Sequence, residues 1–186
     1  RFDLIVGEEI TTQEGHIGGL FLKETIPTGL SVQETLARIR VQNGLAIAVH
    51  PFYHSRMTHA KYATMDGIGA TTLLRNNAFI DSIEIVNATP TLADETLEVG
   101  SSDAHILAAI GMGYTLFEGR SAQDFRRAVL EHQTRAMYKN WSYLGLFKYG
   151  YFYTPRAIRL LAHTLLHGRK HRPPDLLEEE IKQENV

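Results

Sequence analysis

The sequence contains no cysteine. A disulfide framework, thiolate-bound zinc and a cysteine nucleophile are therefore excluded, and any metal must sit on histidine, aspartate or glutamate. Neither sign of charge predominates. With 19 Lys and Arg against 21 Asp and Glu, the chain has no global electrostatic footprint for nucleic acid. No apolar run is long enough to span a bilayer and no stretch reads as a signal peptide, so a soluble cytoplasmic protein is the expectation. Internal repeats and a nucleotide-binding glycine fingerprint are also missing.

What is present is more specific. The 186 residues suffice for one domain with a small appendage and a real core. Nine histidines are many for this length, and one of them, His50, follows five apolar residues. The stretch Val99-Gly100-Ser101-Ser102-Asp103-Ala104-His105 reads as a short strand, Leu97 to Val99, running into an Asp-Ala-His triplet. If the strand continued, Asp103 and His105 would share a face, where a carboxylate and an imidazole can close on one divalent cation.

Taken in order, Phe2 to Val6 reads as a buried strand ended by Gly7, and Gln13 to Leu22 as a glycine-broken segment with a strand at its apolar end. Ser31 with Glu34 predicts a capping box, opening a helix that runs to Gln42 and stops at Asn43-Gly44. Leu45 to Val49 is a continuous apolar strand that enters His50-Pro51. Helix, glycine stop, buried strand and a polar residue at its carboxyl end is α/β grammar, in which ligands gather at the carboxyl ends of strands.

Gly69 to Ala78 suits a short helix and Ile80 to Ala88 a strand ending at Asn87. The join to the next strand is too short for a helical crossover. The two strands are then antiparallel, or a helix is absent near Glu95; we expect the latter, and residues missing before Arg1. Tyr114 to Phe117 predicts a further strand. Ser121 and Asp124 cap a helix with Phe125, Val129 and Leu130 as its apolar stripe. Aromatics crowd Tyr138 to Tyr153, Pro155 opens a last helix, and a polar tail follows. The chain thus divides into a domain over 1–136 and an aromatic-rich helical extension over 137–186. That extension suits packing on the domain or on a second copy, while its interleaved lysines also suit nucleic acid.

Four places offer two carboxylates and three imidazoles in order: Gly7-Glu8-Glu9, Gly15-His16, His50-Pro51 and Asp103-Ala104-His105. Their order and contexts resemble the PHP superfamily of polymerase-associated and histidinol-phosphatase-like proteins, over roughly Phe2 to Ala136. The resemblance implies an α/β fold, a distorted (β/α)7 barrel of PHP type, here without the family's first strand motif and one crossover helix. It also implies two or three divalent ions (manganese, iron or zinc) held by Glu9, His16, His50, Asp103 and His105, with Glu9 bridging. The activity implied is hydrolysis of a phosphomonoester of a small molecule or nucleotide through a metal-activated water. Arg56, six residues after His50, could receive the phosphate through its planar fork. Two other readings stand beside this one: a PHP-type exonuclease on short oligonucleotides, and a non-catalytic binding module with a degenerate metal site.

Overall fold

The computed structural model describes residues 2–52, 67–87 and 99–167. The chain divides into two compact units, residues 1–142 and 143–186. The first is built on a five-stranded mixed sheet whose strands lie side by side in chain order.

Strands β1 (Gly7–Thr11) and β2 (His16–Leu20) form a hairpin, with Glu9 opposite Gly18 and Thr11 opposite His16. The turn is closed by Thr12, whose amide and hydroxyl both donate to the Gly15 carbonyl. Helix α1 (Val32–Val41) begins at the expected capping box, and the left-handed Asn43 follows its C-cap at Gln42. It leads to β3 (Leu45–Ala48), which runs antiparallel to β2 and parallel to β4. After α2 (Gly69–Asn76) the chain enters β4 (Ser82–Asn87), which pairs in parallel with β5 (Val99–Ser101). Strands β6 (Gly113–Leu116) and β7 (Arg135–Tyr138) form a separate antiparallel pair around α3 (Ala122–Leu130).

Strand β3 sorts the core by its period of two. Ala46 and Ala48 belong to the cluster of Ile10, Ile17, Val32, Leu36 and Ile39, on the α1 face. Leu45 and Ile47 join Val99 of β5 and Val129 of α3 on the other. Each of these large side chains contributes about 1.5–3 kcal/mol by leaving water. The alanines keep β3 thin where α1 crosses it.

Several sequence expectations need correction. Phe2 to Val6 is not a buried strand: Phe2 and Leu4 are more than four-fifths exposed. The ladder explains this, because β2 ends opposite Gly7 at Leu20 and Phe21 turns away with a φ of +59°. Among the described residues the sheet is open and no closed barrel forms, so a (β/α)7 barrel is not what this structure displays. Of the two arrangements open for β4 and β5 the parallel one, which the sequence reading preferred, is observed; the join between them, including Glu95, lies outside the described residues. Strand β5 ends at Ser101, before Asp103, while Leu97 and Glu98 lie outside the described residues.

In the second unit, α4 (Tyr143–His167) starts twelve residues before Pro155, which sits inside it. Aromatic pairs one turn apart run through that first half: Phe147 stacks on Tyr151 and Tyr149 on Tyr153. They outweigh the proline's tendency to open a helix. Among the described residues, no helix is long and apolar enough to cross a membrane.

Candidate metal centre

The mixed sheet brings the amino end of β2 and the carboxyl ends of β3, β4 and β5 to one rim. The motif residues lie there. On β1, period-two alternation separates the two adjacent glutamates: the Glu8 carboxylate accepts the Ile26 amide at 2.6 Å, and Glu9 turns to the rim. Glu9 Oε1 lies 2.6 Å from His16 Nδ1 and 3.1 Å from His50 Nε2. The two imidazoles meet edge to face, ring centroids 5.3 Å apart.

One donor atom from each of Glu9, His16 and His50 lies within 4.8 Å of the others. Around a first-row cation with bonds of about 2.0–2.2 Å, neighbouring donors sit about 3–3.5 Å apart, so modest adjustment would let all three share one ion. A carboxylate with two imidazoles is a donor set for zinc, iron or manganese rather than calcium. The residues therefore fit the kind of metal that the motifs imply.

Electrostatics point the same way. Burial alone would raise the Glu9 carboxyl; hydrogen bonds and charge from His16 and His50 overcome it and hold the group far below the usual carboxylate range. For His50, burial disfavours the charged ring. Its hydrogen bond to Glu9, together with the charges of Glu9, Glu84 and Asp103, nevertheless raises its pKa. The site concentrates negative charge on a rim of histidines.

The backbone at His50 is fixed from below. A hypothetical Cβ on Gly67 would overlap the His50 and Pro51 carbonyls, so only glycine permits this approach. The Gly69 amide then donates to the Pro51 carbonyl at 2.9 Å, and Gly67 bridges to His16 in parallel. His50 itself has a φ of +31°, a left-handed conformation that costs a branched-at-Cβ-free but bulky residue about 1–2 kcal/mol.

Asp103 and His105 are placed differently. Strand β5 has ended, so they do not share a strand face; Asp103 is left-handed, with a φ of +41°. The His105 Nδ1–H donates to the Asp103 carbonyl at 2.8 Å, which directs Nε2 away from that contact. Among the described residues the three-donor group comprises Glu9, His16 and His50 and omits this pair. Asp103 still acts on His50 and Glu84 through its charge. Arg56, with His54 and His59, lies outside the described residues.

Sequence reasoning missed Glu84. It lies on β4, only 3% exposed, and its carboxylate accepts the His50 amide at 2.7 Å and the Ser101 hydroxyl. Burial raises its pKa, opposed by those two hydrogen bonds and by His50. The available signal was a lone carboxylate inside the apolar run Ile83 to Val86.

Comparison with known proteins bears on this site. A family model described as PHP-associated matches residues 95–134, from the approach to β5 through α3. One uncharacterized protein of Methanocaldococcus jannaschii is 56% identical over 50 residues, covering 27% of this chain and 29% of that protein. A second, from the same organism, is 30% identical over 126 residues, covering 61% and 51%. The chain thus spans about half the length of these relatives or less. A solved two-domain protein from Bacteroides vulgatus, containing a predicted PHP-like metal-dependent phosphoesterase, matches with a TM-score of 0.50 and 20% identity, over 73% of this chain and 44% of that one. The family match and this shared fold support the resemblance to the PHP superfamily that the motifs carry.

Proposed function

We propose that the chain is a PHP-type metal-dependent phosphoesterase hydrolysing a phosphomonoester of a small molecule or nucleotide. The observation that carries this reading is the convergence of Glu9, His16 and His50 at one rim. The likeness to a PHP-like fold supports it. Divalent cations held there would supply charge neutralisation at the phosphoryl oxygens and a nucleophile drawn from water near neutral pH.

The chain's own residues hold and orient. Glu9 Oε1 faces both imidazoles, and Glu9 would be the bridging carboxylate that the family resemblance implies. His16 and His50 complete the first set of donors, and Asp103 with His105 offers a second from the β5 end. Arg56 would receive the substrate phosphate through its fork.

The test is direct. Full chain loaded with manganese, iron or zinc is expected to hydrolyse an aryl phosphate, and to act on mononucleotide phosphates in preference to short oligonucleotides. The Glu9→Ala and His50→Ala variants are expected to lose both metal and activity. A metal-free, inactive full chain would favour the binding module, and preference for oligonucleotides would favour the exonuclease.

A further inference from the structure

Motif residues that follow two different strands, His50 after β3 and Asp103 after β5, converge on one buried group that lies outside all four motifs. Glu84 Oε2 accepts the His50 amide at 2.7 Å, and Oε1 accepts the Ser101 hydroxyl. Ser101 Oγ in turn takes the Asp103 amide at 3.4 Å. His50 and Asp103 are both non-glycine residues in the left-handed region, a conformation that persists only where surroundings impose it. The same side chain thus reaches both strained residues, directly at the β3 end and through one hydroxyl at the β5 end.

We propose that Glu84 is the positioning residue of the metal centre: its carboxylate ties the ends of β3 and β5 together and holds His50 and Asp103 in the backbone conformations that present their side chains to a cation. This rests on the phosphoesterase reading above. Glu84 does not touch the cation or the substrate in this role. Its two oxygens are occupied by the His50 amide and Ser101, as a residue supporting ligands from behind requires. Ile83 beside it packs against the core and Glu84 itself pairs with Val99 of β5, so the carboxylate sits on a rigid element rather than a loop.

The chemistry distinguishes positioning from charge. A glutamine at this place keeps one oxygen for the His50 amide, and its NH2 can donate to Ser101 Oγ, because a hydroxyl can reverse its role. Glu84→Gln should therefore preserve the scaffold, whereas Glu84→Ala removes it.

The experiment is manganese titration of the metal-free full chain by calorimetry, with amide NMR of His50 and Asp103 before metal is added. We expect Glu84→Ala to weaken manganese binding about 10- to 100-fold, and Ser101→Ala by a few-fold. Glu84→Gln should bind within a few-fold of the parent, with the His50 and Asp103 amides close to their parent positions. Parent-like affinity in a folded Glu84→Ala overturns the proposal and leaves the phosphoesterase reading intact. If Glu84→Gln falls as far as Glu84→Ala, the charge and not the geometry matters, which also overturns it. Should Glu84→Ala fail to fold, the Glu84→Gln and Ser101→Ala pair decides by the same criteria. A parent chain that binds none of manganese, iron and zinc overturns both readings.

Discussion

The two halves of the candidate centre carried similar weight as motifs, but the fold treats them differently. Glu9 and His16 lie on paired strands, and His50 follows a strand with all four residues buried. One donor atom from each meets the others at the rim. Asp103 and His105 follow a three-residue strand, their side chains 28% and 44% exposed, and are held by short-range hydrogen bonds. Ladder hydrogen bonds fix a side chain's direction through the whole sheet. A loop fixes it only through the groups it happens to reach, which here lead back to Glu84. The sheet aligns one half of the site, and a single carboxylate links it to the other.

Three comparisons would break or sharpen that contrast. The largest effect is expected from His50→Ala compared with His105→Ala. Removing a donor should exceed the 10- to 100-fold cost typical of supporting residues, so His50→Ala should weaken manganese binding by more than about 100-fold. His105 is a donor too, but its exposed side chain loses more freedom on binding an ion, so only about tenfold is expected for His105→Ala. Equal losses in calorimetry would erase the distinction between the halves.

Gly67→Ala comes next. Its Cβ would strike the backbone at His50 and Pro51, and such forced shifts in packed regions cost about 1–3 kcal/mol. For a chain of this size that is a melting point lower by roughly 2–12 °C. An unchanged melting curve would show that the preassembled half is softer than its packing indicates.

The smallest effect is at Asp124, on the β5 side but away from the donors. The Ser121 hydroxyl bond, followed by the Arg120 and Ser121 amides, lowers its pKa below the ordinary 3.8. A lowered carboxyl pKa contributes stability that is present above the unfolded value and lost as pH falls through the folded one. Asp124→Asn should therefore melt slightly below the parent at neutral pH, converge with it in strong acid, and bind manganese unchanged. A gap that widens on acidification would reverse the sign and reject this account.

Much of this fold is legible in the residues, for identifiable reasons. Ser31 with Glu34, and Ser121 with Asp124, announce helices because a capping box is wholly local. Leu45 to Ala48 announces a buried strand because no polar residue interrupts it. Phe2 to Val6 misleads because an apolar run becomes a strand only beside a partner, and β2 ends too soon to supply one. Pro155 misleads because the aromatic ladder before it can carry a helix through a weak position. Strand β7 escapes notice since Arg135 to Tyr138 has no alternation, its burial being set by β6. Within the site, Glu9, His16 and His50 are readable as strand-associated motifs. Glu84 is not, because its role depends on β4 lying between β3 and β5, a matter of sheet order that no local pattern encodes.

The hairpin has a kinetic consequence. Glu9 and His16 are seven residues apart, and contacts of such low separation close early, hairpins forming in about 1–10 μs. His50 must wait for β3 to dock on β2 across the whole of α1, which is a longer loop closure. An isolated hairpin is marginal, so the first pair is visited before it is kept. The centre is assembled in sequence order, and α1 governs when the third donor arrives.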